Sequence, residues 1–176
     1  MLTIGHSNRP IEEFLAILKA HGVELLVDVR TVPRSRHNPQ FNRDVLPRTL
    51  AAAAIRYEHM PGLGGLRHPR KDSPNSGWRN LSFRGYADYM QTDEFVENLD
   101  VLQKLDQKQR VAIMCAESVP WRCHRSLIAD ALLVRGVPVH HIMSETKANI
   151  HQISTFARVE DGRVTYPGET LQLFNS

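Results

Sequence analysis

Short apolar runs alternate along the chain with segments of helical spacing. The first run covers residues 2–5, and Pro10 then precedes apolar residues at positions 11, 14, 15 and 18. This spacing, with a proline at its start, is typical of an amphipathic helix. A second run over residues 25–29 is continuous enough for a strand that is buried on both faces. The first 30 residues therefore predict a βαβ unit.

The same alternation continues to the end of the chain. Helices are predicted over residues 43–54, 83–90, 93–105 and 120–135, and strands over residues 55–58, 111–115 and 139–142. Asp161-Gly162 is a turn signal and predicts a hairpin over about residues 157–167. The order predicts a single α/β domain over residues 1–176, with a mostly parallel sheet and helices on both faces.

Residues 60–82 break this periodicity. They are rich in proline, glycine and charged residues, and no helical or strand spacing survives in them. A long irregular segment in a compact domain is usually either a functional flap or a mobile stretch. Both interpretations stay open for this segment, which we call the flap.

Composition and charge restrict the class of protein. Hydrophobic residues make up 41% of the chain and charged residues 23%, as in a typical globular protein. No apolar run reaches the roughly 20 residues that span a bilayer, and the N-terminus does not have the pattern of a signal peptide. We therefore expect a cytoplasmic protein without membrane contact. The formal charge of +3 and the clusters of arginine favour an anionic ligand, although a solvated basic surface would look the same.

Reactive side chains follow three of the predicted strands. In open α/β sheets, ligands bind beyond the carboxyl ends of the strands, where these residues would meet. The first strand is followed by His6 and Ser7, the second by Asp28 and Arg30, and the fourth by Cys115 and Glu117. The sequence therefore predicts a pocket at this edge. Within it, Asp28 is a carboxylate in an apolar strand, so Arg30 is expected beside it as a structural brace or as part of a ligand anchor.

The segment from Cys115 to Arg125 carries the densest chemistry. Cys123 and His124 are expected in the first turn of the following helix, where a thiol tends towards thiolate, more so beside arginines. The cysteines could instead be buried packing residues. Their spacing, with seven residues between them, does not match the short gaps of structural zinc sites.

Several short motifs occur together in order, and together they resemble the domain-of-unknown-function family four-eight-eight. The motifs are Thr3-Ile4-Gly5-His6-Ser7, Val27-Asp28-Val29-Arg30, Leu63-Gly64-Gly65, Phe83-Arg84-Gly85-Tyr86-Ala87, Met114-Cys115-Ala116-Glu117 and Cys123-His124-Arg125. The resemblance implies one cytosolic α/β domain and makes these motifs signature positions. It implies no particular reaction.

The leading hypothesis is an enzyme that acts on a small or polymeric anionic substrate, such as a phosphate-bearing or nucleotide-like molecule. Hydrolase and transferase chemistry both fit. The candidate catalytic residues are Glu117, His124, Cys115 and His6. The candidate substrate-binding residues are Ser7, Asp28, Arg30, Arg84, Tyr86, Cys123 and Arg125.

Two alternatives belong to other classes. The first alternative is a nucleic-acid binding or processing protein. The segment over residues 67–84 carries arginines interleaved with Trp78 and Phe83, a composition that could bind a nucleic acid backbone and stack bases. The tail around Leu171, Leu173 and Phe174 weakly resembles the peptide that docks on bacterial sliding clamps. The second alternative is a metal or redox site formed by Cys115, Cys123, His124 and Glu117, although no cofactor is evident from the sequence.

Overall fold

A six-stranded sheet forms the centre of the fold. The computed structural model describes residues 1–168 of the chain. The strands are β1 (Leu2–Gly5), β2 (Leu25–Asp28), β3 (Arg56–His59), β4 (Val111–Cys115), β5 (His140–Ile142) and β6 (Ala148–Ile150). They lie in the order β3-β2-β4-β1-β5-β6, and all neighbours are parallel except β5 and β6. The predicted mostly parallel sheet is confirmed.

Five α-helices and a hairpin complete the architecture. The helices are α1 (Ile11–Ala20), α2 (Leu46–Ala52), α3 (Leu81–Tyr89), α4 (Asp93–Lys108) and α5 (Arg125–Val134), and the hairpin consists of β7 (Arg158–Glu160) and β8 (Arg163–Thr165). Two of the helices begin at side-chain caps. Asn80 accepts hydrogen bonds from the backbone at the start of α3, and Thr92 does so at the start of α4. The predicted C-terminal hairpin is confirmed.

The central strands β1, β2 and β4 are buried on both faces of the sheet, as their apolar sequences require. Val27 and Ile113 contribute to a core cluster on one face, with residues of α3, α4 and α5. Leu26 and Met114 point to the other face and pack with residues of α1 and α2. Successive residues of one central strand therefore pack into the hydrophobic cores on opposite faces of the sheet. This explains why the sequences of the central strands are continuous apolar runs.

The structure corrects two predicted elements. The helix expected from Pro120 is wrong at its start, because a short 3-10 turn over Pro120–Arg122 comes first and Cys123 then has an extended backbone. Helix α5 begins only at Arg125, so Cys123 and His124 precede it. The sequence also did not predict β6, whose three residues are all exposed and therefore lack an apolar pattern.

The flap is largely irregular, as predicted, but it is anchored to the domain. A 3-10 turn over Pro61–Leu63 is its regular part before α3 begins. The side chain of Leu63 is fully buried, and so is that of Asn75. Asn75 Oδ1 accepts a hydrogen bond from Tyr166 N at 2.8 Å, and Asn75 Nδ2 donates to Asp88 Oδ1 at 2.8 Å. These contacts attach the middle of the flap to α3 and to the segment after the hairpin.

A buried chain of hydrogen bonds, not predicted from the sequence, connects β1, β5 and α5. Arg125 Nη1 donates to Thr3 Oγ1 at 3.2 Å, and Thr3 Oγ1 lies 2.8 Å from His141 Nδ1. His141 Nε2 lies 3.0 Å from His151 Nδ1, and His151 Nε2 lies 2.7 Å from Asp130 Oδ1. A guanidinium only donates and a carboxylate only accepts, so neutral imidazoles satisfy every atom when the protons point from Arg125 towards Asp130.

This series of buried hydrogen bonds makes the stability of the protein sensitive to acid. Burial above all, followed by the nearby charges of His151 and Arg125, lowers the pKa of His141 from 6.5 to about 4, while Cys123 and Asp130 oppose the shift. The unfolded chain therefore binds more protons than the folded chain between pH 6.5 and 4. The stability that neutral His141 supports is complete above pH 6.5 and is lost as the pH falls through 4.

We expect the free energy of unfolding to decrease between pH 6.5 and 4, by up to about 1.4 kcal/mol per pH unit for one such histidine. Urea denaturation across this range measures the slope. His141→Gln should make the slope shallower without abolishing it, because burial also lowers the pKa of His6 to about 4. The matched control is His68→Gln at an exposed position, which should leave the slope unchanged. An equal slope in the wild type and His141→Gln would contradict this account.

Candidate functional site

A cavity of about 700 Å³ opens at the carboxyl edge of β1, β2 and β4. The segments that follow these three strands form most of its wall, and Gly65, Leu66, Ser82 and Phe83 contribute from the flap and the start of α3. Seven of the predicted site residues line it: His6, Ser7, Arg30, Cys115, Glu117, Cys123 and His124. The structure therefore brings together side chains from three strand ends, as the parallel sheet requires.

Backbone hydrogen bonds continue past the ends of the strands and fix this wall. His6 N donates to Cys115 O and Ser7 N donates to Ala116 O, each at 2.9 Å. A methyl group on Gly5 would lie 1.9 Å from Glu117 O. Only glycine therefore allows the segment after β4 to lie this close to the end of β1.

The two thiols and one imidazole converge in the cavity. His124 Nδ1 lies 3.6 Å from Cys123 Sγ and 4.0 Å from Cys115 Sγ. His124 Nε2 lies 3.2 Å from the carbonyl oxygen of Val29, to which it donates a hydrogen bond. Because that nitrogen carries the proton in the neutral ring, the lone pair of Nδ1 faces the two sulfur atoms.

The two cysteines differ in their acidity. The hydrogen bond between the thiols and then burial raise the pKa of Cys115 far above its usual value. The same hydrogen bond lowers the pKa of Cys123 against the opposing effect of burial, and the charge of Arg125 lowers it further. Arg125 Nε also donates to Cys123 Sγ at 3.4 Å. These contacts favour the thiolate form at Cys123 more than at Cys115.

Arg125 supports the site without lining the cavity. Its side chain is only 1% exposed. Besides Cys123 and Thr3, the guanidinium donates to the carbonyl oxygens of Glu117 and Ser118. These bonds go to the protein, so the side chain holds the wall of the cavity in position; its predicted contact with a substrate stays a prediction.

Asp28 and Arg30 form a buried ion pair beneath the cavity. Arg30 Nε donates to Asp28 Oδ1 at 2.8 Å, and Tyr57 donates its hydroxyl proton to Asp28 Oδ2 at 2.8 Å. Arg30 also donates to Phe41 O at 2.7 Å. Asp28 does not line the cavity, whereas Arg30 reaches its wall with a charge that Asp28 neutralises. The geometry favours the structural brace over the ligand anchor.

His6 is held in one orientation. Its ring stacks on Phe41 with 4.2 Å between the ring centres. Nδ1 lies 2.7 Å from Ser7 O and donates to it, so Nε2 accepts from Arg30 Nη1 at 3.2 Å. Burial lowers the pKa of this imidazole to about 4. A neutral ring with both nitrogens engaged forms part of the wall and is not free to accept a further proton.

Arg84 and Tyr86 lie outside the cavity lining. Arg84, in α3, donates from Nε to Trp78 O of the flap at 2.9 Å. Tyr86 is fully buried, its hydroxyl donates to Leu63 O at 2.9 Å, and its ring centre lies 5.1 Å from that of His124. Tyr86 therefore supports His124 from behind, while Arg84 braces the flap.

Two cavity arginines were not among the predicted site residues. Arg34 and Arg122 line the cavity, are exposed, and form no side-chain hydrogen bond or ion pair within residues 1–168. Each lies in a loop a few residues after a strand that ends at the cavity, and this position is the signal that could have identified them. The predicted sliding-clamp peptide around Leu171, Leu173 and Phe174 lies outside the described residues.

The buried ion pair of Asp28 and Arg30, with Tyr57 as a further donor to Asp28, predicts different losses of stability when individual members are replaced. Asp28→Asn leaves the Arg30 charge buried without a counter-ion, so we expect a loss of about 3–5 kcal/mol in unfolding free energy. Tyr57→Phe removes one neutral donor to the carboxylate and should cost about 1–2 kcal/mol. Chemical denaturation of both variants measures these losses. An Asp28→Asn variant as stable as the wild type would exclude the brace.

Comparison with known proteins and protein families identifies the family of this chain. No helix in the described part of the chain is long and apolar enough to cross a membrane. Comparison with curated proteins and with solved structures gave no match. The family model described as "Domain of unknown function DUF488" matches residues 10–132, more than two thirds of the chain, and includes every cavity residue except those after β1. The chain belongs to the DUF488 family.

Proposed function

We propose that this protein is an enzyme that acts on an anionic, phosphate-bearing substrate in the cavity at the carboxyl edge of the sheet. The observation that carries the proposal is the position of Arg34 and Arg122, two unpaired guanidinium groups in the same cavity as Glu117 and the thiols. Guanidinium groups bind phosphate oxygens through paired, charge-assisted hydrogen bonds. The other side chains supply candidates for proton transfer and nucleophilic chemistry.

The charge of the cavity supports an anionic ligand. Arg30 is neutralised by Asp28, and Glu117 is the carboxylate that lines the cavity within the described part of the chain. The sulfur of Cys123 faces the buried guanidinium of Arg125. The two positive charges of Arg34 and Arg122 therefore exceed the single negative charge of Glu117, and a cavity of net positive charge attracts anions. Ser7, Ser35, Asn38 and Ser118 add neutral groups that can donate hydrogen bonds to phosphate oxygens.

Glu117 is the best candidate for proton transfer. One oxygen, Oε1, lies 3.3 Å from Val119 N and 3.5 Å from Ser118 Oγ, which orients the carboxylate. The residue is exposed and lines the cavity, so its other oxygen can reach a substrate or a water molecule. Proton transfer to or from a reacting oxygen by such a group fits both a hydrolase and a transferase.

Nucleic-acid binding has less support from the flap. Arg67 lies over the ring of Tyr89, 3.5 Å from its centre, and also donates to backbone carbonyls. Arg70 is paired with Asp72. Trp78 packs against other aromatic rings, with its centre 4.8 Å from that of Phe83. These side chains are engaged in the fold, so a phosphate-bearing substrate in the cavity is the better-supported interpretation.

The proposal predicts anion binding that depends on the two unpaired arginines. Calorimetric titration with pyrophosphate should show weaker binding in Arg34→Gln and Arg122→Gln, each by about tenfold, since a hydrogen bond to a charged group contributes about 1.5–3 kcal/mol. Glu117→Gln should bind pyrophosphate more tightly, because a repelling charge is removed, while turnover of phosphate esters is lost.

The matched control is Arg158→Gln, which removes an exposed arginine from β7, away from the cavity. It should bind pyrophosphate as the wild type does. Equal weakening by Arg158→Gln would show that only overall charge attracts the anion. Unchanged binding in both cavity variants would contradict the proposed site.

A further inference from the structure

We propose that Cys115, Cys123 and His124 bind a zinc-like divalent cation with one coordination position open to the cavity. The inference deepens the proposed function, and its catalytic part rests on that function, but metal binding is measurable without turnover. The three donor atoms, the two Sγ atoms and His124 Nδ1, all lie within 4.8 Å of one another. Their side chains all line the cavity.

The separations fit tetrahedral coordination. With Zn–S near 2.3 Å and Zn–N near 2.0–2.1 Å, tetrahedral angles place sulfur and nitrogen about 3.6 Å apart. His124 Nδ1 lies 3.6 Å from Cys123 Sγ and 4.0 Å from Cys115 Sγ. The longer of these two separations exceeds the tetrahedral value by only about 0.4 Å. Two thiolates and an imidazole select zinc-like ions over magnesium or calcium, which prefer oxygen ligands.

The surroundings of the donor atoms are those of a metal site. The Nε2 atom of His124 donates to Val29 O at 3.2 Å, which fixes the ring and leaves Nδ1 free to bind. Metal-binding histidines usually donate their second nitrogen in this way. Arg125 Nε donates to Cys123 Sγ at 3.4 Å and would stabilise the ligand as a thiolate.

Gly65 keeps space beside the free nitrogen. A methyl group at this position would lie 2.5 Å from His124 Nδ1, so the ring would have to move. The φ angle of Gly65 is not in the left-handed region, so the backbone itself accepts alanine. The glycine is therefore required by the space next to Nδ1 and not by the backbone conformation.

Three protein ligands are characteristic of catalytic zinc sites, in which water or substrate takes the fourth position. The open position here would face the cavity that also contains Glu117 and the unpaired arginines. A cation there would polarise a bound phosphate oxygen or acidify a bound water molecule, and Glu117 would accept the proton. This arrangement explains why thiols, a carboxylate and cationic side chains share one cavity.

Titration with Co²⁺ tests the inference. The reduced, chelator-treated full chain should bind a single Co²⁺ and develop a near-ultraviolet sulfur-to-cobalt band together with strong visible bands of tetrahedral cobalt, and Zn²⁺ should abolish both. Cobalt binding without a sulfur-to-cobalt band would overturn the proposal, as would the absence of binding. Neither result depends on a variant that has to fold.

Variants assign the ligands. Cys115→Ser, Cys123→Ser and His124→Ala should each weaken Zn²⁺ binding at least tenfold, and Gly65→Ala should weaken it without removing a donor atom. Arg158→Gln is the matched control, because it changes an exposed residue of β7 outside the cavity and keeps all three ligands. Circular dichroism establishes that each variant is folded. Zn²⁺ affinity unchanged in the folded Gly65→Ala and cysteine variants would place the cation elsewhere and refute the site.

Pyrophosphate titration of the metal-free chain separates the two proposals. Pyrophosphate binding that depends on Arg34 and Arg122, without any thiolate-bound cobalt, would overturn the metal site and leave the proposed function standing. Thiolate-bound cobalt without such pyrophosphate binding would support the metal site and refute the anionic substrate. Only the presence of both supports a metal-assisted reaction on an anionic molecule.

Discussion

The buried guanidinium of Arg125 is the contact on which the site depends. It lies where α5 begins, and it reaches the sulfur of Cys123, the hydroxyl of Thr3 in β1, and the carbonyl oxygens of Glu117 and Ser118. A buried cation needs such a complete set of acceptors. The acceptors come from three separate segments, so satisfying one charge fixes the distances between those segments. The sulfur of Cys123, the backbone that carries Glu117 and strand β1 are therefore positioned by a single side chain that does not line the cavity.

Much of the fold followed from the sequence, because parallel strands buried on both faces leave a strong apolar signal. The runs that contain Val27 and Ile113 identified the central strands, and the strand ends then identified the edge that carries the cavity. The exposed strand β6 left no such signal, since all three of its residues face solvent. The start of α5 was misplaced because Pro120 is equally favourable at the start of a 3-10 turn and of an α-helix.

The site was only partly predictable for a different reason. A sequence indicates which side chains are reactive, but the partners of those side chains are set by three-dimensional contacts. Arg125 and Arg34 are the same residue type in the sequence. In the structure Arg125 is buried among hydrogen-bond acceptors, whereas Arg34 is exposed at the cavity. The seven residues between Cys115 and Cys123 do not match the short ligand spacing of zinc-site sequence patterns, but distance along the chain does not determine distance in the fold. The turn at Pro120–Arg122 and the extended Cys123 bring the sulfur atoms together.

The position of β1 has a consequence for how the protein acquires its site during synthesis. This strand precedes the other strands of the sheet in the chain, yet it lies between β4 and β5, whose residues are more than 100 positions further along. A nascent chain therefore cannot insert β1 until β4 and β5 have left the ribosome. Until then the segment after β1, with His6 and Ser7, is absent from the wall, and Cys123 lacks the guanidinium that Thr3 helps to hold. Completion of the cavity therefore coincides with closure of the sheet.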